Sequence, residues 1–304
     1  MSYEKIGRGR KLTAKAEANF LLHPITRWPD HPILLMNIAS PYDLPDLNSA
    51  LEGTLHSGKL HYLPETGSTN TLAMHAAYAG AEEGTVFFAN QQTAGRGRNG
   101  HGWHSEPGMA ILVSVVLRPK IAPAQSLWLS LMAGIGVHDA ILRTCGIACD
   151  LRWPNDLLIG RKKFCGILTE ISADAEQLRF AVIGIGINVN QPSFPPEITD
   201  IATSLHMETG KEWSRTELLI AVLKSLETEY RAVLAAHGSD SLLRRLEAAS
   251  SYVRGKPVHV DEAGGYDGIT DGLDARGFLR VRTANGIRTV LSGGVRELET
   301  SRNS

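Results

Sequence analysis

Cysteine, net charge and long apolar runs are all scarce in this sequence, and each scarcity excludes a class of protein. The three cysteines, Cys145, Cys149 and Cys165, form no Cys-x-x-Cys pair and have no histidine at metal-site spacing. Cys145 and Cys149 are four residues apart, a spacing that would place them on one face of a helix. We therefore expect reduced, buried thiols in a cytoplasmic protein rather than a metal or redox site.

The near-absence of net charge and of long apolar runs excludes two kinds of partner. Lysine plus arginine number 31 and aspartate plus glutamate 32, so no overall field attracts DNA and any anion binding must be local. The longest apolar run, residues 109–117, is too short to cross a bilayer and contains Ser114. We expect neither a DNA nor a membrane partner.

The N-terminal residues lack a sustained apolar period. Residues 1–38 combine basic side chains with three prolines and carry no apolar segment typical of a secretory signal. We predict a disordered extension over residues 1–40. Two alternatives stay open: the basic run at residues 7–11 binds a DNA minor groove, or translation starts at Met36 instead, so that residues 1–35 are not native.

Hydrophobic periodicity predicts an α+β fold with two domains, since 304 residues exceed the usual size of one core. We place the large domain at residues 41–250 and a small C-terminal β-barrel at residues 251–300, where glycine-rich turns separate short strands. Predicted strands occupy residues 60–63, 85–90, 108–117, 151–159 with a break at Pro154, 164–172 and 178–190. Predicted helices occupy residues 44–55, 71–79, 124–145, 215–236 and 241–249.

The most informative segment is residues 92–103, here called the glycine-arginine loop. Arg96, Arg98 and His101 alternate with glycines, so the backbone can fold around a phosphate. The segment lacks the Gly-Lys-Ser/Thr of a P-loop and the helix start of a dinucleotide fingerprint. A basic hairpin tip without a ligand is the alternative interpretation.

Two other motifs have both a structural and a functional interpretation. Ser68 or Thr69 is predicted either to cap the helix that follows or to contact a ligand. Gly184 and Gly186 lie inside a predicted strand, where glycine marks the close approach of a ligand or of another chain segment.

Four motifs occur in a specific order. They are Gly67-Ser68-Thr69-Asn70, residues 92–103, Arg152-Trp153-Pro154-Asn155-Asp156-Leu157 with Lys163 and Gly166-Ile167-Leu168, and Gly184-Ile185-Gly186-Ile187-Asn188. Together with the C-terminal β domain, the ordered set resembles the biotin protein ligases over residues 43–298, in the form without an N-terminal DNA-binding domain. The resemblance implies a class II synthetase-like biotin/lipoate ligase catalytic domain, with a mixed or antiparallel central sheet and packed helices.

The chain departs from the pattern of these ligases at three positions. Arg152 replaces the usual lysine of Lys-Trp-Pro-Asn-Asp, and Asn99 and His101 stand where arginine or lysine is common. Arg98 and Lys163 are retained.

The resemblance implies ATP-dependent attachment of biotin to a lysine of a biotin carboxyl carrier protein, through biotinyl-5'-AMP, with release of pyrophosphate and use of Mg²⁺. Biotin's carboxylate is already ionised at neutral pH, so the first step needs positive charge rather than a base. Arg98, Lys163 and Asp156 are the implied catalytic residues. Asp156 would accept the acceptor-lysine proton or orient Lys163; alternatively it fixes the turn after Pro154.

Binding residues are also implied by the resemblance, and no metal ligand is assigned. The biotin set is Ser68, Thr69, Asn70, Gln92, Gly95, Arg96, Lys163, Gly166 and Gly186. The ATP set is Arg96, Arg98, Trp103, Asn155, Asp156, Lys163 and Asn188. Trp103 would face the adenine or anchor the loop, and a plain core tryptophan is the alternative.

Three alternative functions stay open. The chain is a lipoate ligase or octanoyl transferase, which has the same domain architecture, a transcriptional regulator that binds biotinyl-AMP, or a binding module that senses a nucleotide. Exposed sheet edges are compatible with a homodimer.

Overall fold

The computed structural model describes residues 40–262, 264–291 and 293–298. The predicted extension and the alternative start therefore lie outside the described residues. The helices are α1 (Leu44–Ala50), α2 (Thr69–Tyr78), α3 (Leu127–Cys145), α4 (Leu205–Thr209), α5 (Arg215–Leu234) and α6 (Gly238–Ala248). The strands are β1 (Leu60–Thr66), β2 (Val86–Gln92), β3 (Ala110–Leu117), β4 (Asp150–Arg152), β5 (Asp156–Ile159), β6 (Lys162–Ala173), β7 (Leu178–Asn188), β8 (Arg254–Val260), β9 (Tyr266–Leu273), β10 (Leu279–Thr283), β11 (Gly286–Val290) and β12 (Val295–Glu297).

Seven strands form the mixed central sheet that was predicted, in the order β1-β2-β3-β7-β6-β5-β4. Only the β1–β2 pairing is parallel among these strands. Alternate residues of the strands point to opposite faces. Thus Val115 and Ile183 pack into the main core, which also contains residues of α3 and α5, whereas Val116 and Val182 pack with the alanines of α2.

Helix α3 packs closely on its neighbours because two of its residues have no side chain. A Cβ on Gly134 would lie 3.0 Å from Leu151 Cδ2, and one on Gly136 would lie 3.4 Å from the Leu226 backbone. The helix ends at Cys145, where Gly146 adopts a φ of 69°. Cys149 lies beyond that end, so the expectation that Cys145 and Cys149 share a helical face is wrong.

Burial governs the chemistry of the three thiols, none of which forms a disulfide. Desolvation raises the pKa of Cys145 to about 11 and that of Cys149 to about 12. Both thiols therefore stay protonated at neutral pH, as packing groups do.

The C-terminal strands form a five-stranded antiparallel sheet, in the order β11-β10-β9-β8-β12. Trp153 links it to the larger sheet, because its buried indole Nε1 donates a 2.9 Å hydrogen bond to the Gly277 carbonyl. In the described parts of the chain, no helix is both long and apolar enough to span a membrane.

Gly184 in β7 lies directly against α2, and its replacement by alanine should be costly. A Cβ there would lie 2.0 Å from Asn70 Oδ1 and 2.7 Å from Asn70 Cγ. Because Asn70 is buried and hydrogen-bonded, it cannot move away freely. We expect Gly184→Ala to lower the free energy of unfolding by about 1–3 kcal/mol in urea titrations. Gly67→Ala is the control, since its Cβ would meet nothing within 4 Å; equal stability of the two variants would contradict this packing.

Candidate active site

A row of residues across five strands forms the floor of the site. The registers Arg152↔Asp156, Asp156↔Gly166, Gly166↔Gly186 and Gly186↔Leu112 place these residues side by side. The row begins with two charged side chains and continues with two glycines. It therefore gives a charged end beside a bare stretch of backbone that another group can approach closely.

Trp103 of the glycine-arginine loop lies over the two glycines. A Cβ on Gly166 would lie 2.8 Å from Trp103 Cζ3, and one on Gly186 would lie 2.6 Å from Trp103 Cε2. The Trp103 backbone N–H donates to the Gly95 carbonyl at 2.9 Å, which closes the loop on itself. Its indole Nε1 is buried and has no partner within the described chain. Trp103 is thus a loop residue packed on the site floor, and the expected close approach at the strand glycines is present.

The charged end of the row contains a carboxylate between two cations. Asp156 Oδ2 lies 2.6 Å from Arg152 Nη2, and Asp156 Oδ1 lies 2.6 Å from Lys163 Nζ. Burial alone would raise the pKa of Asp156, but the charges of Lys163 and Arg152 outweigh it and hold that pKa below its usual value. Asp156 is therefore ionised at neutral pH and fixes Lys163, whose Nζ lies 5.6 Å from the centre of the Trp103 ring.

Arg98 approaches the same end of the row from the loop. Its Nη1 donates to Asn155 Oδ1 at 3.1 Å, and Asn155 Nδ2 donates to the Ile167 carbonyl at 2.8 Å. Burial lowers the pKa of the Arg98 guanidinium, and Asp156 opposes that shift. An arginine so placed remains charged at neutral pH. Two cations from different elements, Arg98 and Lys163, are therefore positioned near one carboxylate.

Polar side chains gather at the other end of the floor. Gln92 Oε1 accepts hydrogen bonds from the Thr69 backbone N–H at 2.7 Å and from the Thr69 hydroxyl at 3.0 Å. Ser114 Oγ lies 2.8 Å from Thr69 Oγ1 and 2.6 Å from Asn70 Oδ1. A small pocket lies here, lined in part by Thr69, Asn70, Gln92, Arg96, Trp103 and Gly186.

The capping interpretation of the hydroxyls at the start of α2 is wrong. Ser68 occupies the N-cap position, but its side chain makes no capping hydrogen bond. Thr69 is the first helical residue, and its hydroxyl turns to Gln92 instead. The helix start is therefore tied to the end of β2.

The remaining predicted residues lie around these groups. A Cβ on Gly95 would lie 2.8 Å from the Trp103 carbonyl oxygen, so glycine permits the loop to close. Asn188 follows Gly186 by two residues on β7 and donates from Nδ2 to the Thr203 carbonyl at 3.0 Å, while its Oδ1 has no partner among the described residues. Ser68 and Gly95 therefore adjoin residues that line the pocket, namely Thr69 and Gln92. The Asn188 side chain instead contacts Thr203, which does not line the pocket.

Sequence reasoning did not find the contacts that Ser114 and Glu170 make with the predicted site residues. Ser114 interrupts an otherwise apolar strand, and that interruption was a usable signal. Glu170 gave none, because its partners Asn70 and Arg96 are distant in sequence.

A family model described as "Biotin/lipoate A/B protein ligase family" matches residues 62–188, which contain the start of α2, the loop and the row. The bifunctional ligase/repressor BirA of Bacillus spizizenii is 38% identical over 241 residues, covering 78% of this chain and 73% of that protein. The biotin--[acetyl-CoA-carboxylase] ligase of Mycobacterium tuberculosis is 34% identical, with coverages of 78% and 87%. The biotin protein ligase from Aquifex aeolicus in complex with biotin and ATP superimposes with a TM-score of 0.68 at 32% identity, covering 79% of this chain and 100% of that one.

This chain belongs to the biotin/lipoate A/B protein ligase family. Within that family it groups with the biotin protein ligases, which confirms the resemblance and the fold class inferred from the ordered motifs.

Proposed function

We propose that this biotin protein ligase attaches biotin to a specific lysine of a biotin carboxyl carrier protein, using ATP and forming biotinyl-5'-AMP. The observation that carries the proposal is the convergence on one floor of a polar pocket, a tryptophan over two glycines, and the cations Arg98 and Lys163. Such a floor suits a ligand with an apolar body, a polar head and an anionic end next to a nucleotide. The similar Aquifex aeolicus ligase is described as binding biotin and ATP.

In the first step, an oxygen of biotin's carboxylate bonds to the α-phosphorus of ATP, and the bond from that phosphorus to the bridging oxygen breaks. Pyrophosphate leaves with the electron pair. Because two anions meet and charge grows at the α-phosphate, fixed cations lower the barrier. We assign this stabilisation to Arg98 and Lys163, and we assign Arg96, which lines the pocket, to the binding of biotin.

Biotin would lie over the end of the floor that carries the polar side chains. Thr69 and Gln92 hold each other in one orientation, which prepares hydroxyl and amide groups for the ureido head. We place Ser68, Asn70, Gly95, Gly166 and Gly186 in the surrounding wall. ATP would lie toward Asn155, Asp156 and Asn188. The Trp103 indole N–H, which has no partner among the described residues, would be available to a ligand oxygen.

In the second step, the neutral amine of the carrier lysine bonds to biotin's carbonyl carbon, and the bond from that carbon to the phosphate oxygen breaks. AMP leaves with the electron pair, and the amine proton passes to solvent. Asp156 was expected either to accept the amine proton or to orient Lys163. Its low pKa and its two ion pairs make it a weak base. We therefore assign it the orienting role.

Several further features belong to the same proposal. No group of three or more metal-ligating side chains occurs among the described residues, so we propose that Mg²⁺ enters on the phosphates of ATP.

The free thiols support a cytoplasmic location. Strands β1 and β4 form the edges of the larger sheet and are compatible with a homodimer. DNA is not expected as a partner, since the net charge is −1.

Isotope exchange between pyrophosphate and ATP tests the first step and separates biotin from lipoate. We expect exchange that depends on biotin and does not occur with lipoate or octanoate at the same concentration. Exchange with lipoate alone would replace this proposal with a lipoate ligase.

Asp156 also provides a test of the electrostatics through pH. Because its folded-state pKa is lowered, its contribution to stability is present above the unfolded pKa and is lost as pH falls through the folded pKa. We expect Asp156→Asn to reduce the free energy of unfolding by about 3 kcal/mol at pH 7, since two cations lose their carboxylate. The difference should shrink below about pH 4 in urea titrations. If the two proteins differed in free energy of unfolding by the same amount at pH 7 and below about pH 4, the ion-pair account would be contradicted.

A further inference from the structure

We propose that Glu170 is a positioning residue, which holds Arg96 of the glycine-arginine loop toward the biotin pocket before biotin arrives. The inference rests on the proposed function, because it concerns the binding step of the same reaction. It adds a residue outside the four motifs that define the ligase pattern, and it explains how one cation of the loop is held in place.

Glu170 on β6 joins the loop to the floor through a single oxygen atom. Its Oε2 accepts a hydrogen bond from Asn70 Nδ2 at 2.9 Å and is ion-paired with Arg96 Nη2. The Glu170 side chain is 28% exposed and that of Arg96 is 45% exposed, so the contact lies at the rim of the site. One carboxylate thus connects α2, β6 and the loop.

The floor side of this connection is rigid. Asn70 is buried and also donates from Nδ2 to the Leu168 carbonyl at 3.2 Å. Its Oδ1 lies 2.6 Å from Ser114 Oγ and fits against Gly184, where even a methyl group has no room. Because Asn70 cannot shift, the position of the Glu170 carboxylate is fixed relative to the pocket.

On the loop side, the backbone around Arg96 is held within the loop, because the Trp103 N–H donates to the Gly95 carbonyl at 2.9 Å and the Gly97 N–H donates to the His101 carbonyl at 2.7 Å. These backbone bonds do not fix the long Arg96 side chain, which is 45% exposed. Arg96 nevertheless lines the same pocket as Thr69 and Gln92. The Glu170 carboxylate supplies the contact that keeps it there. A cation held in advance saves the ordering cost that binding would otherwise incur.

This role predicts a specific kinetic pattern. Glu170→Gln keeps the side-chain shape and an acceptor for Asn70, but it removes the charge that holds Arg96. We expect the KM for biotin to rise about tenfold while kcat changes less than about twofold, since a binding interaction rather than a transition-state one is lost. Glu170→Asp keeps the charge and should restore part of the loss. Glu247→Gln is the matched control, because the Glu247 carboxylate on α6 pairs with a different arginine, Arg254 on β8.

A double-mutant comparison distinguishes positioning from general damage to the fold. In an Arg96→Ala background, Glu170→Gln should have no additional effect on the KM for biotin, because the residue through which it acts is absent. The same increase in both backgrounds would overturn the proposal. A full loss of kcat with unchanged KM in Glu170→Gln would overturn it as well.

Limited digestion with trypsin gives a readout that does not depend on the reaction. Without ligands, cleavage after Arg96 and after Arg98 should be several-fold faster in Glu170→Gln than in wild type and Glu247→Gln. Equal cleavage in all three would overturn the positioning role. If the wild-type protein bound no biotin, the proposed function would fail, and this digestion would still decide the contact between Glu170 and Arg96.

Discussion

Replacing Lys163 with methionine is expected to lower the rate of biotinyl-AMP formation by about 100- to 1,000-fold, the usual loss for one fixed stabilising group. Methionine retains much of the apolar stem but removes the charge that Asp156 holds 2.6 Å away. Negative charge that develops at the α-phosphate then lacks one of its two central cations. The measurement is the rate of biotin-dependent pyrophosphate exchange with each variant at saturating substrates.

Lys162 provides the matched control for that prediction. It precedes Lys163 on β6, but its Nζ donates to the Thr199 carbonyl at 2.9 Å, away from Asp156. Lys162→Met should therefore keep near-normal exchange. Equal rates for Lys163→Met and Lys162→Met would remove Lys163 from the proposed chemistry, provided that both variants melt at similar temperatures.

Replacing Arg98 with alanine is expected to slow adenylate formation by about 100-fold and to release biotinyl-AMP into solution. Arg98 connects the loop to the Asn155 side chain, so its loss removes both a cation and a contact that closes the loop over the floor. Water would then reach an intermediate that closure normally protects. Pyrophosphate exchange measures the first effect, and rapid filtration of the single-turnover reaction before any quench measures free biotinyl-AMP.

An exposed arginine on a nearby turn serves as the comparison for Arg98. Arg161 is 69% exposed and pairs with Glu297, so Arg161→Ala removes the same charge without changing the loop. If Arg98→Ala formed biotinyl-AMP at an unchanged rate and released none into solution, the role assigned to Arg98 would be wrong.

Much of the fold was predictable because periodicity depends on local sequence. Short apolar runs located β2 and β3 on either side of the glycine-arginine loop, and Pro154 correctly separated β4 from β5. Boundaries were less accurate: the first helix ends at Ala50, although its apolar period continues to Leu55. Residues 51–58 form turns instead, so tertiary context overrides the helical pattern there.

The sequence predicted a set of site residues but not the contacts among them. The row from Arg152 to Gly186 depends on strand register, which no single motif encodes. The partner of Arg152 could not be predicted for the same reason. Its guanidinium pairs with Asp156 directly across the β4–β5 hairpin, a partner that only the register reveals.

Glu170 shows the limit of motif reasoning more sharply. It lies 74 residues from Arg96 and 100 residues from Asn70, so only the folded sheet brings these side chains together. The capping role predicted for Ser68 or Thr69 is wrong for a related reason, because the backbone N–H and hydroxyl of Thr69 both donate to Gln92 on a neighbouring strand.

Incorporation of labelled biotin into a purified carrier domain, with Mg²⁺-ATP, tests the central claim most directly. The account predicts transfer that requires ATP and the acceptor lysine, and none when that lysine is replaced by arginine or when lipoate replaces biotin. Absence of any biotin adenylate under these conditions would contradict the account. Adenylate formation without transfer to several carrier domains would contradict the ligase step and favour a protein that only senses biotinyl-AMP.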